Sequence, residues 1–144
     1  MIWQKPIRDD VTGGYFLNKK LKNSSPMDYR LAECYYIGEP NFCMAFYNHE
    51  RLSHGGYQAE LALAGEGFVF NKKVIKKFLA LYFENARFNN TRLYALIPEW
   101  NEQAIRLGTL SGFTLEGKLR KVAKDGDRLV YSMLKEEYYG RYIK

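Results

Sequence analysis

The alternation of apolar and polar residues divides this chain into short strands and amphipathic helices. In residues 57–64 (YQAELALA), Tyr57, Ala59, Leu61 and Leu63 share one face of a strand, with Gln58 and Glu60 on the other. Residues 33–37 (ECYYI) and 42–47 (FCMAFY) are apolar on both faces, which predicts inner strands of a sheet covered on both sides. Gly38, Glu39, Pro40 and Asn41 make the turn between them, and the polar stretch 48–56 reads as a second turn. From Asn71 the period becomes helical. Val74, Ile75, Phe78, Leu79, Leu81 and Tyr82 form a buried stripe that ends near 85–87, with Asn71 as the N-cap.

On the N-terminal side, residues 2–7 predict a short strand. Asp9 or Asp10 caps a helix over 11–21 whose start is weakened by Gly13 and Gly14. Asn23, Ser24, Ser25 and Pro26 form a loop, and Pro26 suits the first turn of a short helix over 27–31. On the C-terminal side, residues 91–97 (TRLYALI) predict a strand, and Pro98, Glu99 and Trp100 lead into a helix opened by Asn101 and closed by Gly112. Residues 114–122 and 128–134 pair around Lys124-Asp125-Gly126-Asp127, where Asp-Gly is a strong hairpin signal. The order β-α-α-β-β-β-α-β-α-β-β is that of a mixed α/β fold.

With 144 residues the chain fits one domain, 1–144, and it buries a single core without staples. It has no run of eighteen apolar residues and no signal-peptide pattern, which predicts a soluble, cytoplasmic protein. Cys34 and Cys43 are expected as reduced core residues, and His49 and His54 have no metal-ligand spacing, so no metal is expected. The net charge of +6 comes in short lysine groups alternating with apolar residues. That pattern favours acidic partners in general, coenzyme phosphates among them, and carries no nucleic-acid motif. Twelve tyrosines, with Tyr138, Tyr139 and Tyr142 in the tail, suggest a docking or homodimer surface.

The run Asn101 to Phe113 (NEQAIRLGTLSGF), the strand before it and the hairpin after it resemble the C-terminal half of the GNAT superfamily of N-acetyltransferases. The element order matches as well, over residues 29–135. Gly112-Phe113, Glu116-Gly117, Leu119-Arg120 and the run Tyr131-Ser132-Met133-Leu134 are similar to the ribosomal-protein-acetylating branch and to short phage-encoded GNAT-like proteins. The resemblance implies a single mixed central sheet with helices on both faces, a fourth strand splayed from the fifth, and acetyl-CoA as co-substrate in the gap.

In that family the pyrophosphate rests on the amides of a glycine loop at a helix N-terminus, where unpaired N–H groups and the helix dipole favour anions. The resemblance carries this role to Gly65, Gly67, Phe68 and Asn71, with Lys72 and Lys73 beside the phosphates and Leu61 and Leu63 along the pantetheine arm. Ala64 stands where the family has Gln or Arg, and Val69 where it has Gly or Ala. Asn101 matches the family asparagine that contacts the coenzyme, and it also suits a helix cap.

Acetyl transfer to an amine needs a base, and Glu60 lies on the polar face of the family's base-bearing strand. His54 and Tyr131 are further titratable candidates, whereas Tyr57 and Tyr94 read as packing residues. Gly108 occupies the place of the tyrosine that protonates the departing thiolate in many members. Two functions follow from the resemblance. One is transfer of an acetyl group to an amine of a protein or small molecule. The other is a GNAT-fold binding or structural module without turnover, including one carried in a phage virion.

Overall fold

A computed structural model describes residues 5–21, 28–38, 42–65 and 71–143. These residues form one seven-stranded sheet, in the order β1-β2-β3-β4-β5-β7-β6: β1 Ile7–Arg8, β2 Ala32–Ile37, β3 Phe42–Arg51, β4 Tyr57–Gly65, β5 Asn90–Pro98, β6 Thr114–Ala123 and β7 Gly126–Leu134. β4 and β5 run parallel; the other neighbouring pairs are antiparallel. Among the described residues four α-helices accompany it, α1 Asp10–Leu21, α2 Lys72–Phe83, α3 Glu102–Ser111 and α4 Lys135–Tyr142.

The alternation along β3 decides the layering. Phe42, Met44 and Phe46 join the core under α2, with Val74, Ile75, Phe78 and Leu79, while Cys43 and Ala45 join a second cluster under Phe16 and Leu17 of α1. Helices therefore lie on both faces, as the two-sided apolar strands predict. Asn71 caps α2, its side chain accepting from the amides of Lys73 (3.0 Å) and Val74 (3.3 Å). Asp9 caps α1 through the amide of Thr12 (3.0 Å). Gly112 closes α3 in the left-handed conformation at φ 100°, where glycine meets no Cβ penalty. Cys34 and Cys43 are free thiols, and burial pushes them up to about 11 and about 12, so they stay protonated as core residues.

Four expectations are corrected. The stretch 48–56 is not all turn: β3 continues to Arg51 across a bulge, and only the last residues close on β4, through the Leu52 amide to Gly56 (2.7 Å). The second helix is, within the described residues, a single 3-10 turn, Tyr29–Leu31, while Asn23 to Met27 lie outside them. The helix expected to reach 85–87 ends at Phe83.

The tail is a helix, α4, and two of the tyrosines assigned to a docking surface are core. Tyr138 is fully buried, stacked on Phe83 at 5.2 Å with its hydroxyl on Glu84, and Tyr142 donates to the Ser111 carbonyl (2.6 Å). A tyrosine body fills the core while its hydroxyl reaches a polar partner at the edge, so a helix without an aliphatic stripe still buries a face.

Candidate active site

The parallel pairing of β4 with β5 runs Tyr57–Asn90, Gln58–Arg92, Ala59–Leu93, Glu60–Tyr94, and stops there. β4 continues to Gly65 along β3, and β5 to Pro98 along β7. The two strands part at the Glu60–Tyr94 pair, and past it the edges facing each other have no sheet partner among the described residues. Unpaired backbone edges of this kind take up an extended ligand as an added strand.

A cleft of about 630 Å³ fills the gap. Leu61, Ala62 and Leu63 line one wall, Ala95, Leu96 and Ile97 the other, and Asn101, Ala104 and Gly108 of α3 close one end. The cleft passes through the sheet. Tyr47 and Glu60, with Lys20 of α1, reach it on one face, and Ile75, Leu79 and Phe113 on the other.

Glu60 sits at the apex in a polar row that crosses the sheet: Tyr47 opposite Glu60, Glu60 opposite Tyr94, Tyr94 opposite Ser132. The half-buried carboxylate accepts from the Tyr47 hydroxyl (2.8 Å) and from Asn48 Nδ2 (3.0 Å). Tyr94 is held above the ordinary phenol range by burial and then by the charge of Glu60. Next along the sheet, Arg92 is engaged by Gln58 (3.1 Å) and Glu116 (2.8 Å), which ties β5 to β4 and β6. Arg92 is thereby committed to structure.

The other candidate residues are distributed unevenly. Leu61, Leu63, Asn101 and Tyr131 line the cleft with Glu60. Asn101 is also the cap of α3, accepting from the Ala104 amide (3.1 Å). Gly65 ends β4 opposite Phe42, while Gly67 and Phe68 lie outside the described residues, as do Glu66 and Val69. Asn71 spends its side chain on capping α2. The Lys72 ammonium lies over the Tyr142 ring, 5.6 Å from its centroid, and Lys73 is exposed. His54 is in the β3–β4 turn, its Nδ1 accepting from the Gly56 amide (3.3 Å). Tyr57 packs edge-on against Phe88, in keeping with a packing role. Among the described residues no cluster of three or more His, Cys, Asp and Glu side chains could hold a metal ion.

The fold is one already seen in solved structures. A spermidine N-acetyltransferase SpeG chimera from Vibrio cholerae and hSSAT aligns with a TM-score of 0.70 at 15% identity, over 96% of this chain and 100% of its own. YncA from Salmonella typhimurium, solved with its cofactor acetyl-CoA, aligns with a TM-score of 0.62 at 15% identity, over 92% and 95%. This chain has the GNAT acetyltransferase fold.

A third GNAT structure, ribosomal-protein-S5-alanine acetyltransferase from Vibrio fischeri, aligns with a TM-score of 0.60 at 14% identity, over 76% of this chain. The present chain spans 65% of its length. No protein-family model and no curated protein matches the sequence. In GNAT terms the cleft is the gap between the splayed fourth and fifth strands, which the resemblance anticipated.

Sequence reasoning missed Tyr47 and Asn48, and it assigned Tyr94 to packing alone. Tyr47 looked like an apolar strand residue, and Asn48 like the start of a turn. The one available signal was the position of Tyr47 directly across the hairpin from Glu60, with Asn48 next along the strand, which requires the register.

Proposed function

We propose that this chain is an N-acetyltransferase that moves an acetyl group from acetyl-CoA to an amine. The observation that carries this reading is the placement of Glu60 at the apex of the cleft, at the last β4–β5 pair. The unpaired edges of β4 and β5 suit the amides of a pantetheine arm. Leu61 and Leu63 would flank that arm, Asn101 would reach it from α3, and Gly65, Gly67, Phe68, Asn71, Lys72 and Lys73 would form the phosphate end. Because the cleft opens on both faces of the sheet, the thioester and the amine can meet at Glu60 from opposite sides.

In this reading Glu60 takes the proton from the incoming ammonium group. The free amine attacks the thioester carbon, the new N–C bond forms, and the C–S bond breaks as the tetrahedral intermediate collapses. The amine's second proton also passes to solvent or base. The coenzyme leaves as a thiolate, an anion stable enough to be released and protonated by water. The acceptors named for two of the similar structures, spermidine and an alanine of ribosomal protein S5, fit an amine substrate here.

Gly108 favours a second reading. Where many relatives carry a hydroxyl for the departing sulfur, position 108 offers none, and a chain that only binds the coenzyme would look the same there. A melting experiment separates coenzyme binding from its absence. With a Kd of about 100 μM, 1 mM acetyl-CoA stabilises the native state by about 1.4 kcal/mol, a shift of a few degrees. Gly67→Asp should remove the shift by setting bulk and charge against the pyrophosphate. Turnover with an amine panel then decides between the readings: Glu60→Gln lowers kcat on the order of 100-fold while the melting shift persists. A wild-type chain that binds acetyl-CoA and acetylates nothing supports the module instead.

A further inference from the structure

β3 slips its register just where it passes Glu60. Tyr47 pairs with Glu60, but the next pair is Glu50 with Gln58, so three steps along β3 match two along β4. Asn48, the residue after Tyr47, is left-handed at φ 53°, a conformation that non-glycine residues rarely adopt and that Asn tolerates best among them. In a regular strand, consecutive side chains point to opposite faces, and Asn48 would face away from the carboxylate that Tyr47 touches. The bulge turns it back. Tyr47 Oη donates to Glu60 Oε2 at 2.8 Å and Asn48 Nδ2 to Oε1 at 3.0 Å, one donor for each oxygen. Two donors on two oxygens fix the plane of a carboxylate as well as its position, which a single donor does not. Bulges that re-aim a side chain in this way recur beside active sites.

We infer that Tyr47 and Asn48 are positioning residues for Glu60, holding its carboxylate in one orientation where β4 and β5 part. The inference rests on the reading of Glu60 as the base for the amine. The charged and titratable groups around the carboxylate come from three further directions. Tyr94 of β5 lies on its other side, with the Arg92 guanidinium 6.0 Å from the Tyr94 ring centroid. Glu50 of β3 acts on Tyr94, and Lys20 of α1 lines the same cleft. Tyr47 stays a donor at every working pH, because burial, then the charge of Glu60, raises its phenol far above the ordinary range. Asn48 does not titrate.

Two variants remove the donors one at a time. Tyr47→Phe deletes the hydroxyl, and Asn48→Gly deletes the amide while keeping a residue at ease in the left-handed conformation. A 13C NMR spectrum of the glutamate carboxyls in the full chain at neutral pH, with the Glu60 signal assigned by its loss in Glu60→Gln, reads the effect without any substrate. Each variant should move the Glu60 carboxyl signal, because each removes one hydrogen bond to it. With an amine acceptor, each should lower kcat on the order of threefold to tenfold while KM for acetyl-CoA changes little. Asn48→Ala should match Asn48→Gly in the spectrum and melt lower, since it adds backbone strain. A Glu60 signal that stays in place in both Tyr47→Phe and Asn48→Gly overturns the inference, whatever happens to the melting temperature. If the signal moves but Glu60→Gln keeps full turnover, the positioning stands and the base assignment falls.

Discussion

Glycines inside two of the helices, Gly13 in α1 and Gly108 in α3, have sharply different surroundings. In α1 a β-carbon built on Gly13 would stand 2.8 Å from Cys34 Cβ, closer than such atoms approach in real structures. In α3 a β-carbon on Gly108 would meet nothing nearer than Ile97 Cδ1, at 3.7 Å. Glycine lowers helix propensity equally in both. At Gly13 the loss is offset by close approach of α1 to β2, which also lets the Asp10 carboxylate accept from the Cys34 amide at 2.9 Å. At Gly108 no neighbour requires it, and the space it leaves belongs to the cleft. The α1 contact is a packed joint, whereas the α3 face beside the cleft is open. Residue type alone does not distinguish a glycine required by packing from one that leaves room for a substrate.

The largest expected break in this contrast is Gly13→Val. Two extra methyl groups must enter a space that a single β-carbon already overfills, so the variant should lose about 3 kcal/mol or more, read as a fall in urea midpoint. The same variant should expose Cys34 and Cys43 to a thiol reagent that barely labels the native protein, since burial keeps both thiols protonated and shielded. A native-like midpoint with unreactive thiols would mean that α1 does not pack on β2 at the distance seen.

Gly108→Tyr acts on the open side. It restores a hydroxyl to the end of the cleft and, on the acetyltransferase reading, should raise kcat about tenfold at saturating acetyl-CoA. Gly108→Ala is its control: it should change kcat little and stabilise the protein by about 0.5–1 kcal/mol. If the tyrosine instead abolishes the acetyl-CoA melting shift, the space at Gly108 is part of the coenzyme seat.

The smallest effect concerns pH at the packed joint. Burial opposes ionisation of Asp10, but the bond from Arg8, the Cys34 amide and the Arg8 charge outweigh it, and the net shift is downward. A carboxylate held below its unfolded value stabilises the fold above about pH 4 and loses that contribution as pH falls through the folded value. The stability gap between wild type and Asp10→Asn should therefore be full at pH 6 and shrink below pH 4. A gap independent of pH would show that the bond to Cys34 does not depend on the charge.

Much of the fold was legible because its strands and its two best helices obey simple periods. The stripe from Val74 to Tyr82, the caps at Asn71 and Asn101 and the stop at Gly112 all stand where the sequence predicts them. α4 was not legible, since Tyr138 and Tyr142 read as surface residues until Phe83, Glu84 and Ser111 supply their partners. The end of β3 was hidden by the bulge at Asn48, where a polar residue with turn propensity continues a strand. Glu60 could be singled out from the polar face of β4, but nothing local indicated which side chains would hold it.

Local sequence by itself determined which residues face inward and where α2 and α3 begin, because side-chain period and capping act over a few neighbouring residues. The element order was enough for a mixed α/β fold. Tertiary structure decided where β4 and β5 part, that the gap passes through the sheet, and that Tyr47 and Asn48 converge on one carboxylate. Those features depend on register between strands, and register is a relation between distant segments that no local pattern contains.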